Sequence, residues 1–289
     1  MFQDWYIFYQ AGRAISEGIS PYSVAGYFNP IQAAWLLSFT TWLPFQAWAW
    51  TMVALSFAGI LIIARKRAIF YVLSAPFIFG AFMGMLDVFL WIPARLGGGL
   101  GLALLTLKPQ LAMIYVPFRL MEWKRQGNIR QIVLFFTGTA LLWGIPAMFS
   151  PGWVTEWIHS LPTLTSRMHG AASFPGYIVL FDQPIFFAAI FAIVMAWFLI
   201  KGNGAYYLAA AFSPSFSPVD FVIMSEFSTW RFTVLSWALA ALGVGIETMQ
   251  FGRGSQALFL LGILIYFEQR AEKSRIEKQI MLPAVRSVP

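Results

Sequence analysis

The chain has no cysteine, only 12 acidic residues among 289, and only 2 histidines. The missing cysteine excludes disulfides, thiolate metal ligands and a cysteine nucleophile, and leaves the redox compartment open. Charge of both signs is scarce. Asp, Glu, Lys and Arg make up 11% of the residues, against about 25% in a soluble globular chain. So little charge does not cover a water-facing surface of this size. Residues 1–30 carry polar positions throughout and lack a clean apolar core, so no cleavable signal is visible. No clear internal repeat is present either.

What fills the chain is apolar. Hydrophobic residues reach 59%, spread along the whole length, with 29 Phe and 13 Trp. Trp and Tyr favour the headgroup zone of a bilayer, so this aromatic content suits a membrane protein with two interfaces. The net charge of +7 sits in small clusters between apolar runs. A nucleic-acid-binding chain would gather it on one face, so no nucleic acid is expected as a partner. Composition therefore predicts an all-α, polytopic integral membrane protein.

Residues 4–19 place Trp5, Phe8, Tyr9, Ala11 and Ile15 on one side, an amphipathic pattern too polar to span. Residues 20–30 read as a loop broken by Pro21 and Pro30, and 31–42 as a short aromatic helix in the interface. Spanning candidates follow at 44–64, 68–83, 85–97, 98–107, 109–121, 131–148, 184–200, 203–213, 216–228, 231–248 and 255–268. The run 98–121 also reads as one kinked helix. Several pieces fall short of the roughly 20 residues that cross a bilayer as a helix. Half-length helices are tolerated where protein or a water-filled cavity surrounds them, so these pieces point to an internal cavity.

Three parts result: an outer juxtamembrane segment at 1–43, a transmembrane bundle at 44–268 with an outer polar loop at 149–176, and a basic tail at 269–289. With residues 1–43 outside and each candidate a crossing, 15 of the 19 Lys and Arg fall inside; only Arg13, Lys108, Arg167 and Arg253 fall outside. The positive-inside rule favours this orientation, with the N-terminus outside and the C-terminus cytoplasmic.

The outer polar residues then concentrate in the N-terminal segment (Asp4, Arg13, Glu17, Tyr22), in the loop 149–176 (Glu156, His159, Arg167, His169), and at broken-helix ends (Asp87, Lys108, Gln110). Charges near hydrocarbon are expensive and mark function. An outer carboxylate over an apolar cavity suits a general base, and outer cations suit a phosphate. The residues also have ordinary readings. Asp4 and Asp87 fit helix starts, Lys108 fits a side chain snorkelling to the interface, and Tyr22 fits an interfacial anchor.

The stretch from Asp4-Trp5-Tyr6-Ile7-Phe8-Tyr9-Gln10-Ala11 through Gly18-Ile19-Ser20-Pro21-Tyr22 to Asn29-Pro30 resembles the first outer loop of polyprenol-phosphate-dependent glycosyltransferases of the C superfamily. The nearest likeness is to glycosyltransferase family 87, which includes bacterial mannosyltransferases. Gly84-Met85-Leu86-Asp87, Lys108-Pro109-Gln110 and Ser213-Pro214 follow in the order that family has them. The resemblance covers roughly residues 4–250. It departs from the family in three places: the family's first spanning helix would fall before Met1, no His follows Ser213-Pro214, and the loop 149–176 lacks the family's Asn-containing signature near its end.

The resemblance implies a GT-C-like bundle of about eleven transmembrane or half-membrane helices. It implies an inverting transfer of a hexose, such as mannose, from a polyprenyl-phosphate lipid to a lipid or glycan acceptor. Asp4 falls at the position of the catalytic base. Lys108 and Arg167, with His159 or His169, would meet the phosphate; Gln110, Asp87 and Tyr22 would line the same outer cavity. No cofactor or metal is implied, and the chain has no Asp-x-Asp pair. Two other expectations stay open: a non-catalytic subunit with protein partners in a membrane complex, and a transporter or flippase.

Overall fold

The computed structural model describes residues 2–84, 86–165, 189, 192–197, 200 and 230–246. Among these residues all regular structure is helical and there is no strand, in keeping with an all-α chain. The segments 203–213, 216–228 and 255–268, the tail 269–289, and Arg167 and His169 lie outside the described residues.

Helix α1 (Gln3–Ser16) turns Trp5, Tyr9 and Gly12 inward at i, i+4 and i+7, and leaves Gln3, Asp4 and Arg13 exposed. Helix α2 (Ile31–Ser38) was expected in an interface, yet it buries Ile31, Gln32, Ala33, Ala34 and Leu37. It packs on α1 and on α9 (Ile129–Phe149), and Gly12 permits the close approach of α1, since a Cβ there would lie 3.2 Å from the Ser38 nitrogen.

Helix α3 (Phe45–Ala64) ends in a 3-10 turn at Arg65–Arg67, as the apolar run and its basic stop suggest. The run 68–83 is not continuous. It splits into α4 (Ala68–Val72) and α5 (Ala75–Met83) around an extended Ser74. The Ser74 hydroxyl donates to the Tyr71 carbonyl at 2.6 Å, and Pro76 falls in the first turn of α5. Helices α6 (Asp87–Leu96), α7 (Gly98–Leu104, continued by a 3-10 turn at Leu105–Leu107) and α8 (Pro109–Arg125) follow. Lys108 stands between α7 and α8 with φ −121° and ψ 86°. Proline disfavours helical geometry in the residue before it, so 98–121 is two helices.

The polar loop expected from 149 begins instead as α10 (Trp153–Thr165). Trp153 and Trp157, one turn apart, both pack on Trp143 of α9, with ring centroids 5.5 and 5.9 Å away. The Trp157 indole donates to the Phe28 carbonyl at 2.8 Å. The charged and polar residues of this stretch concealed that pair of aromatic anchors. Helix α11 (Trp230–Ile246) lies against α4 and α5, where Ala75 N–H donates to the Ser236 hydroxyl at 3.1 Å.

Among the described residues two helices are long and apolar enough to cross a membrane, within Phe45–Ile62 and Ile129–Phe149. Only 11% of the α9 window is buried, so its apolar side chains face outward: Phe136 is 58% and Met148 81% exposed. Helices α4 to α7 have 5 to 10 residues. At about 1.5 Å per residue, none reaches across a hydrocarbon core of about 30 Å alone.

The main core gathers Phe77, Trp91, Leu102, Leu105, Leu111 and Ile114 from α5 to α8, all nearly inaccessible. A second cluster joins Phe2, Trp5 and Tyr9 to Trp48, Met52 and Val53 of α3. Among the described residues backbone meets backbone at several glycines, and a Cβ on Gly101 would lie 1.8 Å from the Pro93 carbonyl oxygen. A Cβ on Gly99 would lie 2.2 Å from the Gln131 carbonyl oxygen of α9. One on Gly84, whose φ is +126°, would lie 2.3 Å from the Trp5 nitrogen.

Gly84→Ala therefore combines a strained φ with a clash against α1. It should lower stability by about 3 kcal/mol. Gly127→Ala, at φ +68° with no atom within 4 Å, carries strain alone and should lose about 1 kcal/mol. Unfolding followed by far-UV circular dichroism compares the two; equal losses would remove the α1 contact as a constraint.

Candidate functional site

The close approach at Gly84 sets the first residue of the site. The Trp5 indole donates to the Ala81 carbonyl at 2.8 Å, and the Phe2 N–H donates to the Phe82 carbonyl at 2.9 Å. These bonds hold the first turn of α1 across the end of α5. Asp4, in that turn, is left exposed while Trp5 is wholly buried. The residue capping α1 is Phe2, at φ 64°, so Asp4 is not the helix cap that its type would suggest.

Asp4 borders a cavity of about 220 Å³ together with Phe8, Asn29, Gly84, Leu86, Asp87, Leu90 and Lys108. Phe8 lies one turn after Asp4 on α1. Asp87 opens α6 and is only 4% exposed. Lys108 immediately precedes α8, and its ammonium forms an ion pair with the Asp87 carboxylate. Two carboxylates and one ammonium thus meet over an apolar floor of Phe8, Leu86 and Leu90.

The helix ends explain this charge arrangement. A helix N-terminus carries partial positive charge, which favours Asp87 at the start of α6 and opposes Lys108 at the start of α8. The ion pair offsets the second effect. The N–H groups in the first turn of α8, including that of Gln110, have no partner one turn earlier within the helix and point toward the Lys108 end.

Asn29 is held by the layer behind it. The Tyr22 hydroxyl donates to the Asn29 carbonyl at 3.3 Å, and Tyr22 packs on Tyr27. The buried Tyr27 hydroxyl donates to the Pro30 carbonyl at 2.9 Å and accepts from Ala34 N–H at 3.0 Å. Burial pushes the ionisation of both phenols well above the usual range, so both stay neutral. Helix α10 closes over this loop: the Ser20 hydroxyl donates to the Glu156 carboxylate, beside the Trp157 bond to Phe28.

Of the residues singled out from sequence, Asp4, Asp87 and Lys108 share one cavity. Tyr22 stands behind it and touches it through Asn29. His159 lies on an exposed face of α10 and does not line the cavity. Phe8, Asn29, Gly84, Leu86 and Leu90 carried no site role in the sequence reading. Asn29 and Gly84 stood within the quoted motifs, and the spacing of Phe8 from Asp4 was the signal for a shared face. Among the described residues no three His, Cys, Asp or Glu gather as a metal site. No family model, no curated protein and no solved structure matches this chain.

Asp87→Asn leaves the Lys108 ammonium facing a neutral amide in a largely buried place. It should lower stability by about 3 kcal/mol, and adding Lys108→Met should restore most of the loss. Thermal unfolding of the two single variants and the double variant gives the coupling; additive losses would mean that the pair is not coupled.

Proposed function

We propose that the chain is a polytopic membrane glycosyltransferase that moves a hexose from a polyprenyl-phosphate carrier to a lipid or glycan acceptor at the outer membrane face. The observation that carries this reading is the single cavity shared by Asp4, Asp87 and Lys108. The motif order in the sequence supports it. So do the outward-facing apolar side chains of α9, which suit contact with lipid. In this reading the short helices α4 to α7 are half-membrane elements around the cavity, within a bundle of about eleven.

The chemistry follows from the positions of the charges. Asp4 is open to solvent and is the general base: its carboxylate takes the proton of the acceptor hydroxyl. The acceptor oxygen attacks the anomeric carbon from the face opposite the leaving group, and the bond from that carbon to the phosphate oxygen breaks. The configuration inverts, and the bonding pair leaves with the polyprenyl phosphate. The Lys108 ammonium and the N–H groups opening α8 receive the developing phosphate charge. Asp87 holds the ammonium in place. The proton on Asp4 is then released to water.

Transfer of labelled hexose from polyprenyl phosphate by the purified chain tests this reading. Asp4→Asn should lower turnover by about 10² to 10⁴. Lys108→Met should lower it by about 10². Equal turnover in the wild type and Asp4→Asn removes the base. No turnover from any of several donors favours a non-catalytic subunit.

The absence of cysteine makes the orientation directly measurable. In intact cells, Ser23→Cys should react with a membrane-impermeant maleimide. Ser274→Cys should react only after permeabilisation. The reverse pattern would put Asp4 on the cytosolic side and end the proposal.

A further inference from the structure

Three successive backbone carbonyls, those of Phe28, Asn29 and Pro30, each accept a hydrogen bond from an aromatic side chain. The Trp157 indole holds the first at 2.8 Å, the Tyr22 hydroxyl the second at 3.3 Å, and the Tyr27 hydroxyl the third at 2.9 Å. The three donors are themselves packed. Trp157 lies against Trp143 and Trp153, Tyr22 against Tyr27, and Tyr27 against Phe8 of the cavity floor. Pro30 adds a further restraint, because it confines the residue before it to extended backbone. The main chain of Asn29 is thus set before any ligand arrives, which lowers the cost of ordering it on binding.

Asn29 lines the cavity together with Asp4 and Lys108. Among the described residues its only hydrogen bond runs through the backbone carbonyl, so the carboxamide is unengaged. The residue is half-buried, and its amide atoms are not sealed from water. A carboxamide carries donors and an acceptor on one planar group. Two adjacent hydroxyls match it: one accepts from the amide N–H, and the other donates to the amide oxygen. Of the three parts of a polyprenyl-phosphate hexose, the prenyl chain offers neither and the phosphodiester only accepts. The hexose alone both donates and accepts. It also falls in the right place. Its anomeric carbon joins the acceptor oxygen at Asp4 to the phosphate at Lys108, so the ring lies between those two residues, in the cavity that Asn29 lines.

We propose that Asn29 recognises a pair of adjacent hydroxyls on the donor hexose, and that Trp157, Tyr22 and Tyr27 are positioning residues for it. This assignment rests on the transfer reading above.

The probes are the mannosyl, glucosyl and galactosyl citronellyl phosphates and citronellyl methyl phosphate, a phosphodiester without a sugar. Calorimetric titration of the purified full chain in detergent, with no acceptor present, reads donor contacts alone. At least one glycosyl ester should bind the wild type about tenfold more tightly than the methyl diester. Asn29→Ala removes no hydrogen bond of the fold. It should erase that preference and leave the affinity for the methyl diester unchanged. Trp157→Phe keeps a ring against Trp143 and loses the N–H donor. It should cut the preference by about threefold, with the methyl diester again unchanged. A preference that survives in Asn29→Ala overturns the assignment and leaves the transfer reading standing. Equal weakening of sugar and methyl ligands in Asn29→Ala makes the residue structural and also overturns it. Unchanged preference in Trp157→Phe removes the positioning role. If the wild type binds none of the four probes, the transfer reading falls and this assignment falls with it.

Discussion

The site depends on the seating of α1 across the end of α5. Trp5 is the pin. Its ring is wholly buried against Trp48 and Phe89, and its indole nitrogen is fixed to the Ala81 carbonyl. A tryptophan so enclosed brings a large apolar contribution and one directional bond, so it fixes both position and rotation. Gly84 is the other half of the contact, because no other residue type lets the chain pass so near the α1 backbone at φ +126°. Asp4 reaches the cavity because its neighbour Trp5 is held in this way.

The Asp87–Lys108 pair shows a second constraint. Lys108 breaks a local preference by standing at the positive end of α8, and Pro109 fixes its backbone outside the helix. Departures of this kind collect at functional sites, where other interactions compensate. Here the compensation is Asp87, which reaches across from the start of α6. The ammonium is thereby held at the cavity wall.

Much of the helical framework was legible in the sequence. Helices α3 and α9 followed from long apolar runs with clear ends, and α8 from Lys108-Pro109. The divided stretch 68–83 was less visible, because Ser74 ends α4 through a bond to its own backbone, while Pro76 is compatible with a helix start. Helix α10 was obscured because its order comes from distant contacts, with Trp143 and with the Phe28 carbonyl. The site divides similarly. Asp4, Asp87 and Lys108 stood out as rare charges in an apolar chain, and their residue types pointed to chemistry. Gly84 and Asn29 act through backbone approach and through the Tyr22 bond, and such long-range contacts leave little mark on local composition. His159, singled out by its type, lies exposed on α10 and is not among the residues lining the cavity.

The end of α5 has a further consequence. A helix leaves its last four carbonyls without acceptable partners of its own. In α5 the Gly80 carbonyl accepts from Gly84 N–H at 2.9 Å, the Ala81 carbonyl from the Trp5 indole, and the Phe82 carbonyl from Phe2 N–H. The opening residues of α1 therefore serve as a C-cap for another helix. Peeling them away would expose two carbonyls, unwind the final turn of α5 and dismantle the cavity wall at Gly84. Order at the beginning of the chain and order at the α5–α6 junction are thus one cooperative unit, although about 80 residues of sequence separate them.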